Sequence, residues 1–117
     1  MNENTILTKS KAFAIRVINL YKYLCSNNEY VLSKQLLRSG TSIGANVRES
    51  IHAYSKKEFA AKMGIALKEA DETAYWLELL VETDYITKIQ FEDIYADNKE
   101  VIKILASIVK TSKTDNY

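Results

Sequence analysis

No proline interrupts the 117 residues, and only three glycines occur. A chain with so few breakers, dense in Ala, Leu, Lys and Glu, is most simply all-helical with short polar connections. Apolar residues recur along it in steps of three and four, the period of an amphipathic helix. Ile6, Ser10, Phe13, Val17, Leu20 and Leu24 form a first stripe, closed by Ser26-Asn27-Asn28. Leu32, Leu36, Gly40, Ile43, Val47, Ile51 and Tyr54 form a second, in phase across both glycines, so one helix is expected there rather than a break. Phe59, Met63, Ala66, Ala70, Ala74, Leu77 and Val81 form a third that ends near Thr83-Asp84. Phe91, Tyr95, Asn98, Ile102, Leu105 and Val109 form the fourth.

Ser55-Lys56-Lys57-Glu58 and Thr87-Lys88-Ile89-Gln90 have capping-box spacing and open the third and fourth helices. The expected helices cover about 5–26, 30–54, 56–84 and 88–111 of a single domain, 1–117, with a polar tail from Thr111 that frays. Four amphipathic helices with short connections predict an all-α fold, an antiparallel up-down-up-down four-helix bundle.

Hydrophobic residues make up 47% of the chain and charged ones 26%, which excludes a disordered protein. No run of about 18 apolar residues exists, and Met1-Asn2-Glu3-Asn4 carries an acid and lacks the apolar core of a signal peptide. A cytoplasmic protein without membrane association is expected. Cys25 stands alone, so no internal disulfide can form, and a partly buried inert thiol is the simplest reading.

The same inventory argues against catalysis. Glu49-Ser50-Ile51-His52 is a Glu-x-x-His step, and Glu69, Asp71 and Glu72 add acids on the next helix. A di-iron carboxylate bundle needs two such steps, and this chain has one histidine. No phosphate-binding loop, dinucleotide fingerprint or cysteine pair for zinc is present. His52 beyond Arg48 makes no credible nucleophile-base pair. We therefore expect no enzyme, no cofactor and no metal.

Candidate surfaces lie opposite the core stripes. On the second helix Lys34, Arg38, Thr41, Ala45, Arg48 and His52 run about 200° away from the apolar residues. Lys34, Arg38 and Arg48, with Lys56 and Lys57 beyond, could hold a row of phosphates. The alternative is a solvated face, or arginines paired across a subunit boundary with Glu69, Asp71 or Glu72. Net charge is only +1, less basic than a dedicated nucleic-acid domain.

On the third helix Ala61, Ile65, Glu72, Tyr75, Trp76 and Leu79 make a second apolar side, which suggests a contact between subunits. The alternative is fuller wrapping of that helix by its neighbours. Gly40 and Gly44 would each cost about 1 kcal/mol against alanine, so a close neighbouring helix is expected at both. Ser42, Asn46 and Glu49 form a polar line read as hydrogen bonding between helices or subunits.

RSGTSIGANVRES at 38–50, followed by KKEFAAKMGIALKEADETAYWLELL at 56–80, resembles the small four-helix-bundle proteins encoded in intervening sequences of bacterial 23S rRNA genes, a family often labelled ribosomal. The fold is also similar to the accessory variability proteins of diversity-generating retroelements, whose motifs match less closely. The resemblance spans about Phe13 to Leu105. It implies a homo-pentameric ring and a role in binding RNA or another nucleic acid. The alternative function is a scaffold for a protein partner, such as a reverse transcriptase or a ribosome-associated factor.

Overall fold

The computed structural model describes residues 3–116, with the side chains of residues 5–113. Four helices follow one another: α1 (Glu3–Ser26), α2 (Leu32–Ile51), α3 (Lys56–Glu82) and α4 (Lys88–Asn116), with no strand among the described residues. Each packs on its sequence neighbours, and α1 closes on α4 over a shorter stretch, giving a rod of 46 × 20 × 19 Å. Cross-helix pairs fix the directions. Lys9 meets Glu100 while Arg16, further along α1, meets Asp93 and Asp97, earlier in α4. Arg38 reaches Glu69 and Glu72, whereas Glu49 reaches Lys62. Both sets run antiparallel, as an up-down-up-down bundle requires.

The turns at one end use the same device twice. Asn28 and Asp84 adopt left-handed φ of 67° and 66°, a conformation that asparagine and aspartate tolerate better than most residues. Each is followed by an amide that returns to the helix it leaves, Glu29 N to Leu24 O at 2.9 Å and Tyr85 N to Leu80 O at 2.9 Å. These are Schellman closures made without glycine.

Glu29 then serves the next helix. Its carboxylate accepts from the amides of Val31, Leu32 and Ser33, and the Ser33 hydroxyl donates to the Glu29 carbonyl. Burial alone would push this carboxyl up, but the amides of Leu32, Ser33 and Val31 outweigh it and hold it below its ordinary range. In the α2–α3 connection, Ser55 Oγ accepts from Glu58 N at 3.0 Å. Thr87 and Gln90 complete a reciprocal capping box, at 3.1 and 2.8 Å.

The core follows the sequence stripes in α1, α2 and α3. Ile6, Phe13, Val17 and Leu24 pack on Leu36, Ile43 and Val47, and on Met63, Ala66, Ala70 and Leu77. Two ends depart from expectation. α2 stops at Ile51 instead of continuing to Tyr54; Ile51, its last residue, is 43% exposed, and Tyr54 is 98% exposed in the α2–α3 connection. The tail expected to fray from Thr111 stays helical to Asn116, and Tyr117, like Met1 and Asn2, lies outside the described residues.

α4 is also turned relative to the expected stripe. Ile94, Val101 and Ile104 are buried with Asn98 and Leu105, while Tyr95, Ile102 and Val109 sit at the margin. This helix carries apolar residues on both sides of Asn98, and packing against α1 as well as α3 selects the face between them. Asn98 Nδ2 donates to the Ala70 carbonyl at 3.2 Å. No helix among the described residues is long and apolar enough to cross a membrane.

Candidate interaction surfaces

α2 separates its neighbours by residue size. An ideal Cβ on Gly40 would lie 2.6 and 2.8 Å from the two Val17 methyls of α1, closer than real Cβ atoms come. Gly44 faces the Ser10 backbone of α1, but a Cβ there would sit 3.5 Å away, in ordinary van der Waals contact. The close packing expected at both glycines is therefore strict at Gly40 alone. Alanine would fit at Gly44.

The basic stripe of α2 does not act as one row. Arg38 donates to Glu69 Oε1 at 3.2 Å and to Glu72 Oε2, both on α3 of the same chain. These bonds, the one to Glu72 above all, raise the guanidinium further and hold the Glu72 carboxyl below its ordinary range. Trp76 Nε1 donates to the same Glu72 oxygen at 2.9 Å, so four side chains, Arg38, Glu69, Glu72 and Trp76, form one network across the α2–α3 seam. The helical pattern offers this arginine either a free phosphate row or the acids of another subunit. Its acids come from within the chain.

The remaining members are exposed cations. Lys34, Arg48, Lys56 and Lys57 are solvent-exposed and have no carboxylate partner among the described residues. Arg48 stands in the last turn of α2, where a cation is favoured by the helix dipole. It also lines an open groove of about 380 Å³ between α1 and α2, with Lys11 contributed by α1 and a floor of Ser10, Ala14, Thr41, Gly44 and Ala45. The pattern on α2 alone does not reveal Lys11, because only the crossing of α1 brings it alongside.

The polar line on α2 is satisfied locally. Ser42 Oγ donates to the Arg38 carbonyl at 2.6 Å and Asn46 Nδ2 to the Ser42 carbonyl at 2.8 Å, both within the helix. Only Glu49 crosses to α3, accepting from Lys62 at 2.7 Å. The buried bond between these helices is instead Thr73 to Ser39 at 2.9 Å. Its signal in sequence is a small hydroxyl residue directly beside each core stripe, Ser39 next to Gly40 and Thr73 next to Ala74.

The outer side of α3 is mixed. Ile65 and Tyr75 are 43% and 53% exposed. Trp76 is half-buried against the core, its ring 5.2 Å from that of Tyr75. Leu79 is half-buried. Between α3 and α4, Tyr95 donates to Glu78 at 2.6 Å, stacks on Phe91 at 4.5 Å, and carries Lys99 over its ring. The bond to Glu78 pushes the Tyr95 phenol up to about 12. Cys25 is half-buried. Among the described residues no group of three or more His, Cys, Asp or Glu side chains is placed to hold a metal ion.

Residues 2–107 match the family described as 23S rRNA-intervening sequence protein. A crystal structure at 1.70 Å resolution, of a protein with unknown function from the S23 ribosomal protein family of Bacteroides thetaiotaomicron, superposes with a TM-score of 0.89. It shares 56% identity over 90% of this chain and 98% of its own. No curated protein matches the chain.

Proposed function

The chain belongs to the 23S rRNA-intervening sequence protein family, and from that premise we propose that it is a non-catalytic RNA-binding protein of the cytoplasm. The observation that carries the reading is the sorting of its cations. Arg16, Arg38, Lys9 and Lys62 are matched to carboxylates across helix seams, whereas Lys34, Arg48, Lys56 and Lys57 face solvent without one among the described residues. Exposed cations without carboxylate partners, two on α2 and two in the first turn of α3, supply the counterion-releasing contacts that dominate nucleic-acid affinity.

Net charge of +1 gives one copy a modest field. Assembly supplies the remedy, because a ring repeats one patch around an axis. The exposed Ile65 and Tyr75, flanked by Trp76, Leu79 and the Glu72 network, are the surface we assign to contact between copies. Five subunits is the number the family resemblance implies.

Fluorescence anisotropy of a labelled RNA against salt tests the binding. Log affinity should fall steeply with log salt, and Lys34→Gln with Arg48→Gln should make the slope shallower by about 0.7 per lost single-strand contact in each copy. Light scattering after size exclusion should give a mass several times 13.4 kDa. A protein that binds no RNA at about 50 mM salt would turn the reading to a protein-binding scaffold.

A further inference from the structure

The α2–α3 connection holds a feature that neither the fold nor the helix faces use. Tyr54 is 98% exposed and makes no hydrogen bond, ring contact or ion pair with the described residues. His52 precedes it, Ser55 caps α3, and Lys56 and Lys57 occupy the first helical turn, all exposed. Glu49 is engaged by Lys62, and no ion pair joins Lys56 or Lys57 to Glu58 among the described residues. Lys56 and Lys57 are thus left without a carboxylate partner among the described residues.

We propose that Tyr54 is a base-stacking platform and that Lys56 and Lys57 hold the adjoining phosphates of a single-stranded RNA segment. The inference rests on the RNA-binding reading and deepens it by naming the form of RNA and the mode of contact. Three features select a nucleotide strand. The ring offers π-faces that no protein group occupies, and stacking on aromatic residues accepts any base. Lys56 and Lys57 follow Tyr54 by two and three residues, so their α-carbons lie within about 11 Å of its own even along an extended chain, and all three side chains are exposed. A duplex keeps its bases stacked on one another and presents no free face to such a ring. Ser55, which follows Tyr54, is the extended N-cap of α3, with φ of −150° and ψ of 163°.

The test uses the full-length protein and a labelled single-stranded RNA of about twelve nucleotides, within the site sizes of such binders, with a duplex of the same length beside it. Tyr54→Ala should weaken single-strand binding by about ten-fold, within the range known for base–aromatic stacking. It should leave the salt slope unchanged, because the lost contact is not ionic. Tyr54→Phe should restore the affinity, since it keeps the ring. Lys56→Gln with Lys57→Gln should instead reduce the salt slope by about 0.7 per lost contact. Melting temperature is the control and should not move for any of these surface variants.

If wild type binds the single strand and Tyr54→Ala binds it equally well, the stacking proposal is overturned while RNA binding stands. Preference for the duplex, or a change in particle mass on Tyr54→Ala, also overturns it, the latter by making Tyr54 a contact between copies. If wild type binds neither RNA, the underlying functional reading fails first.

Discussion

Gly40→Ala is the substitution whose outcome the packing determines most sharply. In a plain helix the change stabilises by about 1 kcal/mol through backbone propensity alone. Here the new methyl would sit 2.6 Å from Val17 Cγ1, 2.8 Å from Cγ2 and 3.1 Å from Cβ. Val17 is fully buried and β-branched, so its side chain is stiff in a helix and no rotation clears the site. Relief requires α1 and α2 to move apart, and overpacking of this kind costs about 1 to 3 kcal/mol. The net effect is a loss of up to about 2 kcal/mol.

The chain supplies its own references. A methyl added at Gly64 would meet nothing within 4 Å, and one at Gly44 would make only ordinary contacts, so alanine at either should stabilise by up to about 1 kcal/mol. Urea denaturation followed by circular dichroism, at one fixed protomer concentration because assembly would couple to unfolding, measures all three. Adding Val17→Ala to Gly40→Ala should recover a coupling energy of about 1 kcal/mol or more. A Gly40→Ala protein as stable as Gly64→Ala would refute the reasoning.

Three further outcomes follow from named contacts. Glu29→Gln should cost about 1 to 2 kcal/mol, since one neutral amide oxygen replaces a carboxylate that caps three amides. Because the folded carboxyl is depressed, its stabilisation is full above the ordinary glutamate range and is lost as pH falls through the lower folded value. Acid titration of stability should therefore separate wild type from Glu29→Gln at neutral pH and bring them together in acid. Ultraviolet titration should show a phenol ionising near 12 and lose it in Tyr95→Phe. The sign there is opposite: the raised phenol stabilises the fold below about 10, and that contribution fades as pH climbs toward 12. Arg38→Gln should lower stability by about 1 kcal/mol and change Trp76 fluorescence while sparing RNA affinity, whereas Arg48→Gln should do the reverse.

Much of the molecule was legible along the chain because helical period and capping are local properties. The stripe from Ile6 to Leu24, the run from Met63 to Leu77, the reciprocal cap of Thr87 and Gln90, and the turns after Ser26 and Glu82 each depend on residues within a few positions of one another. The motifs at 38–50 and 56–80 likewise carried the family. Other features depend on which side of a helix a neighbour occupies, which no single stripe contains. Arg38 and Arg48 look alike on α2, yet α3 brings Glu69 and Glu72 to the first while α1 brings Lys11 and a small-residue groove to the second. Gly40 and Gly44 are one turn apart, but only the crossing of α1 sets two valine methyls against one and a serine backbone against the other. α4 was turned by competition between its two apolar sides. Tyr54 kept the phase of the α2 core stripe and lost its place there because the helix ends at Ile51, beyond which a continuing period no longer points at the core.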